Sequence, residues 1–310
     1  MRYARLGRAG PTTSVIGVGA WAAGGDWGPL DDEAAIAAIC RAAELGINWV
    51  DTAPAYGFGH SERVVARALR QLPDDRKPMV FTKCSRVWDD DGRVYGSLDP
   101  ASLRAECEQS LRRLEVEAID LYQIHQPEPE TDIEVAWETL QQLQREGKIR
   151  YAGVSNFDVG HLTRISPIAT PTALQPPYSL IDRALEKEIL PYCIENEIGT
   201  IAWSPLARGL LAGTHRREAL GSLPPGDTRR TDPAFVGPES ARHYAVADRV
   251  RRLAAEHGMN PAALAVAWTI RPGGVSAAIV GMRRPAHADS IVPAADLVLD
   301  RATLDALDAA

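Results

Sequence analysis

From Asp31 onward the chain alternates short apolar runs with amphipathic segments, and no other feature restricts its fold as much. Residues 31–45 place Ile36, Ile39, Cys40 and Ala43 at i, i+3, i+4 and i+7 behind Asp31 and Asp32, which predicts a capped helix with one buried face. Ile47 to Asp51 then reads as a strand, Pro54 to Gly59 as a loop, and Val65, Ala68, Leu69 and Leu72 as the stripe of a second helix. The pattern resumes with a strand from Met79 to Lys83 and a helix opened by Asp99-Pro100, with Leu103, Cys107, Leu111 and Leu114 on its buried side. Further strands are expected at 119–124, 150–155, 172–175, 198–203 and 275–280, and helices near 131–146, 158–165, 184–196, 241–257 and 261–271. With Val15 to Gly19 this makes eight strands, whose starts are separated mostly by 22 to 41 residues. Strand-helix units of that length build a parallel sheet with helices outside it. Eight of them favour an α/β fold closed as a (β/α)8 TIM barrel over an open doubly wound sheet.

Two segments fall outside the repeat. Residues 2–13, with Gly7 and Gly10 around a turn, predict an N-terminal β-hairpin. The last interval, 77 residues between strands 7 and 8, contains a Gly/Pro/Arg-rich stretch at 213–239 that reads as a long surface loop and a candidate mobile cover. One barrel domain over 1–310 is the expected organisation.

A chain of 310 residues buries roughly 75% of its unfolded surface, so the core needs no metal or disulfide support. Its 34 basic and 41 acidic residues leave a charge of −7 without a polybasic run, which argues against nucleic acid and anionic membranes as partners. Cys40, Cys84, Cys107 and Cys193 lie far apart, with no C-x-x-C pair, and read as free thiols of a cytoplasmic protein without a zinc site. Arg2, Arg5 and Arg8 ahead of an apolar run imitate a secretion signal, but Gly17, Gly19, Gly24 and Gly25 spoil the helix that such a signal requires. No apolar stretch approaches the ~20 residues of a membrane span. Oligomeric state leaves no mark in the sequence.

Polar residues with chemical potential gather where the expected strands end: Asp51, Lys83, His125, Ser155, Asn156, Gln175, Ser204 and Gly281. Barrel enzymes place their sites at that rim. Taken singly, Asp51 reads equally well as a turn cap, Tyr56 as a loop aromatic and His125 as a satisfied core imidazole. Lys83, an ammonium closing an apolar strand, needs a carboxylate partner or becomes reactive. Together they say more, because barrel strands 2, 3 and 4 are neighbours and Tyr56 hangs above them from the loop after strand 2. A lysine held charged by Asp51 stabilises the phenolate of Tyr56, and lowering its pKa by about two to three corresponds to roughly 3–4 kcal/mol. Such a set suits reversible proton transfer at a carbonyl or alcohol oxygen.

Five segments carry a resemblance: Asp51-Thr-Ala-Pro-Ala-Tyr56-Gly, the Thr82-Lys83 strand end, Ile119-Asp-Leu-Tyr-Gln-Ile-His125, Gly147-Lys-Ile-Arg-Tyr-Ala-Gly-Val-Ser-Asn156-Phe and Ala202-Trp-Ser-Pro-Leu-Ala-Arg-Gly209-Leu-Leu. In this order, and from the hairpin to about Val298, the chain is similar to the aldo-keto reductases. The resemblance implies an NAD(P)(H)-dependent carbonyl reductase or alcohol dehydrogenase acting on small aldehydes, ketones or sugars. It makes Tyr56 the proton donor, Lys83 and Asp51 its partners, and His125 the residue that orients the carbonyl. By the same likeness Ser155, Asn156 and Gln175 meet the nicotinamide carboxamide, and Trp203 stacks where the family more often has Tyr or Phe. Ser204, Leu206, Arg208 and Gly209 match the loop that wraps the pyrophosphate, while Gly19, Ala20 and Trp21 line the mouth near the nicotinamide.

The chain has neither a G-x-G-x-x-G nor a Walker-type loop, so the phosphates fall to the loop after strand 8. There Gly281-Met-Arg-Arg284 precedes Pro285, and Arg283 and Arg284 suit the 2′-phosphate of NADP. Where the family often continues with Gln and a Glu-Asn pair, this chain has His287, Ser290 and Ile291, which leaves NAD open as well. A short loop after His125 and a chain that stops soon after Leu299 imply an open substrate mouth lined by Trp21, Tyr56, Trp88 and His125. Two other readings compete: a nucleotide-binding redox-sensing regulatory subunit with little turnover, and a Schiff-base aldolase using Lys83.

Overall fold

The computed structural model describes residues 1–25, 31–213, 217–223 and 227–309. The chain enters through an antiparallel hairpin, β1 (Tyr3–Arg5) with β2 (Thr12–Ser14), then forms β3 (Ile16–Gly19), β4 (Trp49–Asp51) and β5 (Met79–Cys84). A second hairpin, β6 (Arg86–Trp88) with β7 (Val94–Gly96), precedes β8 (Ile119–Ile124), β9 (Ile149–Ser155), β10 (Ala173–Gln175), β11 (Gly199–Ala202) and β12 (Ala277–Gly281). Strands β3, β4, β5, β8, β9, β10, β11 and β12 pair in that order, all parallel, and β12 closes on β3 as a barrel. The helices are α1 (Asp32–Glu44), α2 (His60–Gln71), α3 (Pro100–Leu114), α4 (Ile133–Arg145), α5 (Val159–Ile165), α6 (Ile189–Glu195), α7 (Pro233–Val236), α8 (Ser240–Glu256), α9 (Pro261–Thr269), α10 (Pro285–Ile291) and α11 (Arg301–Asp308).

Side chains alternate along each strand, so residues two apart share the barrel interior. Its lower layer is apolar: Trp49, Phe81, Leu121, Ala173, Ile201 and Ala277 meet there, with Leu6 of the hairpin turn packed into the same cluster. Trp49 stacks on Phe81 at 5.0 Å between centroids and donates its indole N–H to the Ser14 carbonyl at 2.8 Å. The ring fits because residue 17 is glycine: a methyl group there would lie 2.3 Å from the Trp49 ring atoms. One step up the strands stand Asp51, Lys83, Gln123 and Gln175, all buried, and the chemistry changes from apolar to polar. Caps fix the helix starts as their sequence predicts. The Asp31 and Asp99 side chains accept N–H bonds from Ala34 and Ser102, and Pro100 occupies the first helical position of α3.

Two expectations need correction, and two elements are additions to them. The helix expected over 184–196 is a single turn at Ala184–Glu186 followed by α6, because Pro191 lacks the N–H that would reach back a turn and so can stand only near a helix start. The 213–239 stretch is not a bare loop, although 214–216 and 224–226 lie outside the described residues. It holds helical turns at Arg217–Ser222 and Thr228–Arg230 and the short α7, with Asp227 and Asp232 capping the last two and Phe235 buried. Dense Pro and Gly read as loop, but Asp caps and a proline at the first helical position nucleate short helices just as well. The β6–β7 hairpin and the Asp300-capped α11 were not anticipated.

Candidate active site

Asp51 ends β4, Lys83 lies one residue before the end of β5, and His125 follows β8, so three neighbouring strands deliver them to one place. Lys83 is 0% exposed and Asp51 3%. The Lys83 Nζ donates to Asp51 Oδ1 at 2.6 Å, to the Thr52 carbonyl at 3.0 Å and to the Tyr56 hydroxyl at 3.4 Å. Burial pulls the ammonium toward its neutral form, but the charge of Asp51 and the neighbouring Tyr56 outweigh it and hold Lys83 above the ordinary lysine range. The His125 ring stands edge-on to Tyr56, 5.8 Å between centroids. Burial, with Lys83 and Arg86 adding repulsion, pushes His125 well below the ordinary imidazole range, so it is neutral at pH 7. Its Nδ1 is sealed from solvent without a hydrogen-bond partner among the described residues.

The loop that carries Tyr56 is fastened from several sides. Ser61 at the start of α2 accepts a 2.8 Å bond from the Thr52 hydroxyl and donates its own hydrogen to the Ala20 carbonyl at 2.8 Å, tying this loop to the one after β3. Gly24 packs so closely on it that an added methyl would lie 2.8 Å from the Tyr56 carbonyl carbon. Trp88 on β6 meets the exposed Phe58 edge-on at 5.3 Å, so the second hairpin walls the mouth on that side. Its departure from β5 is set by Ser85, whose φ is +74° and whose N–H is accepted by the buried Glu106 at 3.0 Å. Burial raises the Glu106 carboxyl to about 7 despite bonds from Ser102 and Ser85 and the charge of Arg113. Arg86 pairs with Glu128 at 2.6 Å and fixes the hairpin to the loop after His125.

Beside this cluster stands a set of groups suited to a nicotinamide cofactor. Gln175 Nε2 donates to Asp51 Oδ2 at 2.9 Å and to Gln123 Oε1 at 3.2 Å, leaving its Oε1 without a partner among the described residues. The Ser155 hydroxyl donates to the Gln175 carbonyl at 2.8 Å, and Asn156 Nδ2 donates to the His125 carbonyl at 3.0 Å. Asn156 Oδ1 accepts the Trp203 indole N–H at 3.2 Å, which holds a flat ring at the same rim. Asn156, Ser204, Ala207 and Arg208 all have positive φ, a strained conformation for residues with a Cβ that concentrates at ligand sites. Gly19 and Gly281, the last residues of β3 and β12, stand side by side in the pairing, and Ala20 donates its N–H to the Asp51 carbonyl at 2.9 Å.

Arg208 and Trp21 meet: the guanidinium lies 5.6 Å from the Trp21 ring centroid and is ion-paired with Asp232 before α7. Leu206 and Gly209 stand in the same turn-rich stretch after β11. Arg283 and Arg284 are exposed, and His287 faces donors on both ring nitrogens, the Arg283 backbone N–H at 3.2 Å and Arg284 Nε at 3.1 Å. A neutral imidazole accepts at one nitrogen only, so a surplus N–H donor remains there, which suits a phosphate oxygen. The donor set therefore fits the cofactor. Thr52, Phe58, Glu106, Gln123 and Asp232 were missed from the sequence. Gln123 was within reach, since alternation along β8 puts it on the face of Leu121 and His125.

A model of the aldo/keto reductase family matches residues 15–310. The chain is 35% identical to the aldo-keto reductase YhdN of Bacillus subtilis over 293 residues, covering 94% of this chain and 88% of that one. It is 34% identical to an NADH-specific methylglyoxal reductase of Escherichia coli over 317 residues, covering 97% and 96%. Among solved structures, a glycerol dehydrogenase from Gluconobacter oxydans superposes with a TM-score of 0.88 at 37% identity, covering 99% of this chain and 94% of the other.

Proposed function

Because the chain belongs to the aldo/keto reductase family, we propose that it reduces small carbonyl compounds, or oxidises the matching alcohols, with Tyr56 as the group that gives and takes the proton. The nicotinamide, when bound, supplies or accepts the hydride. The observation that carries this reading is the single ammonium of Lys83 held between Asp51 at 2.6 Å and the Tyr56 hydroxyl at 3.4 Å. A cation so placed favours the phenolate left after Tyr56 has given its proton to the carbonyl oxygen, and Asp51 keeps that cation charged and aimed. Neutral His125 donates an N–H to the same oxygen and fixes its direction, and its depressed basicity keeps it from competing for the Tyr56 proton.

Gln175, Ser155 and Asn156 would hold the carboxamide, and Trp203 the face of the ring. Arg283, Arg284 and the donor-rich edge of His287 favour NADP over NAD, a choice that the NADH-specific relative leaves open. Relatives named for methylglyoxal and glycerol support small polar substrates. The test is Tyr56→Phe assayed on a panel of aldehydes, ketones and polyols, with both cofactors titrated by tryptophan fluorescence. Turnover is expected to fall at least about a hundredfold while cofactor affinity holds, the usual size of general acid assistance. Retained turnover removes Tyr56 from this role, and a wild-type chain that binds cofactor but turns over nothing on the whole panel returns the regulatory reading.

A further inference from the structure

We infer that Gln123 is a positioning residue for the nicotinamide end of the site: it fixes which way the amide of Gln175 points. The inference rests on the reading that Gln175 meets the carboxamide. Gln123 is 0% exposed, stands level with Lys83 in the pairing of β5 with β8, and lies one pleat below His125. The direction of both amides follows from Asp51. Its Oδ2 can only accept, so the group that Gln175 turns to it at 2.9 Å must be the NH2. The second hydrogen of that NH2 goes to Gln123 at 3.2 Å, so Gln123 must present its carbonyl oxygen. Turning Gln123 over would set two NH2 groups against each other, and turning Gln175 over would set its oxygen against a carboxylate.

Two features follow from this forced order. With both N–H bonds spent inward, Gln175 is left with only its oxygen to offer the mouth, so it selects the N–H side of a carboxamide rather than its oxygen. Gln123, in turn, has its NH2 buried without a partner among the described residues. An orphaned buried donor destabilises a fold, and an apolar side chain of the same length would remove it. A residue kept only for stability would not carry that defect, whereas one kept to orient a ligand-binding neighbour can.

The two roles move stability and binding in opposite directions, and a cycle of Gln123→Met, Gln175→Met and the double variant in the full chain separates them. Melting temperature is read alongside dissociation constants for NADPH, NADH and 2′,5′-ADP, which lacks the nicotinamide. Gln123→Met is expected to weaken NADPH and NADH by roughly three- to tenfold, the worth of one lost hydrogen bond, with 2′,5′-ADP unchanged and the melting temperature equal or higher. In the Gln175→Met background the same change is expected to add nothing further. A lower melting temperature with unchanged affinities, or losses that multiply independently in the double variant, overturns the inference. If Gln175→Met alone leaves both nicotinamide cofactors bound as before, the carboxamide reading fails and takes this inference with it. Gln123→Leu provides the same comparison should the methionine variant not fold.

Discussion

Two residues along each strand separate the lower layer of the barrel interior, with Trp49, Phe81, Leu121 and Ala173, from the upper layer, with Asp51, Lys83, Gln123 and Gln175. Below, shape decides: rings and methyl groups interlock, and the one polar atom of Trp49 is satisfied by Ser14. Above, pairing decides, and each side chain has its direction dictated by the next through Asp51. Two buried polar atoms without a partner among the described residues, Gln123 Nε2 and His125 Nδ1, lie in the upper layer and just above it. The lower layer thus supports the fold, while the upper layer, which faces the reacting atoms in the function proposed above, carries a defect that a purely structural layer would not.

The comparison breaks most sharply on the charged pair. Lys83→Met leaves the Asp51 carboxylate buried without its cation and is expected to cost about 3–5 kcal/mol in denaturant unfolding. Adding Asp51→Asn removes the stranded charge and is expected to return most of that stability with none of the turnover. If the double variant is as unstable as the single, the upper layer supports the fold as the lower does. Gly17→Ala comes next. A methyl 2.3 Å from the Trp49 ring forces repacking, at about 1–3 kcal/mol, while turnover per folded molecule should hold; a loss of turnover as large as that in Lys83→Met would erase the distinction between the layers.

The smallest effect lies on the outer face of β5. The Glu106 carboxyl sits at about 7 when folded against an ordinary 4.5, so the folded chain binds more protons between those values and loses stability as pH climbs through that window. Glu106→Gln escapes this loss and still accepts the Ser85 N–H. Thermal melts at pH 8 should show a gain on the order of 1 kcal/mol, less than the full shift because the new amide N–H needs an acceptor, and melts at pH 4 should show almost none. An equal gain at both values would mean that the carboxyl does not titrate there.

Much of this was legible in the sequence where a local signal and a tertiary role coincide. Asp51, Lys83 and His125 each interrupt an apolar run at its end, and the caps at Asp31 and Asp99 announce their helices. Legibility failed where a signal is short or points elsewhere. The strands β6 and β7 have three residues each, too few for alternation to show, and Trp88-Asp-Asp-Asp-Gly92 reads as plain turn. Asp232 lies in a stretch whose Gly and Pro read as loop, and nothing local reveals that it caps a short helix and pairs with Arg208. Gln123 was hidden by rank: polar, but one pleat below the imidazole that drew attention.

The fit of Gly17 under Trp49 also couples how these two positions can drift. A side chain at residue 17 and the indole at residue 49 claim the same space, so either change made alone carries a cost, an overlap in one case and a void in the other. A larger residue 17 and a smaller ring together relieve both costs at once. The two positions are therefore bound to change as a pair, although no charge or hydrogen bond joins them.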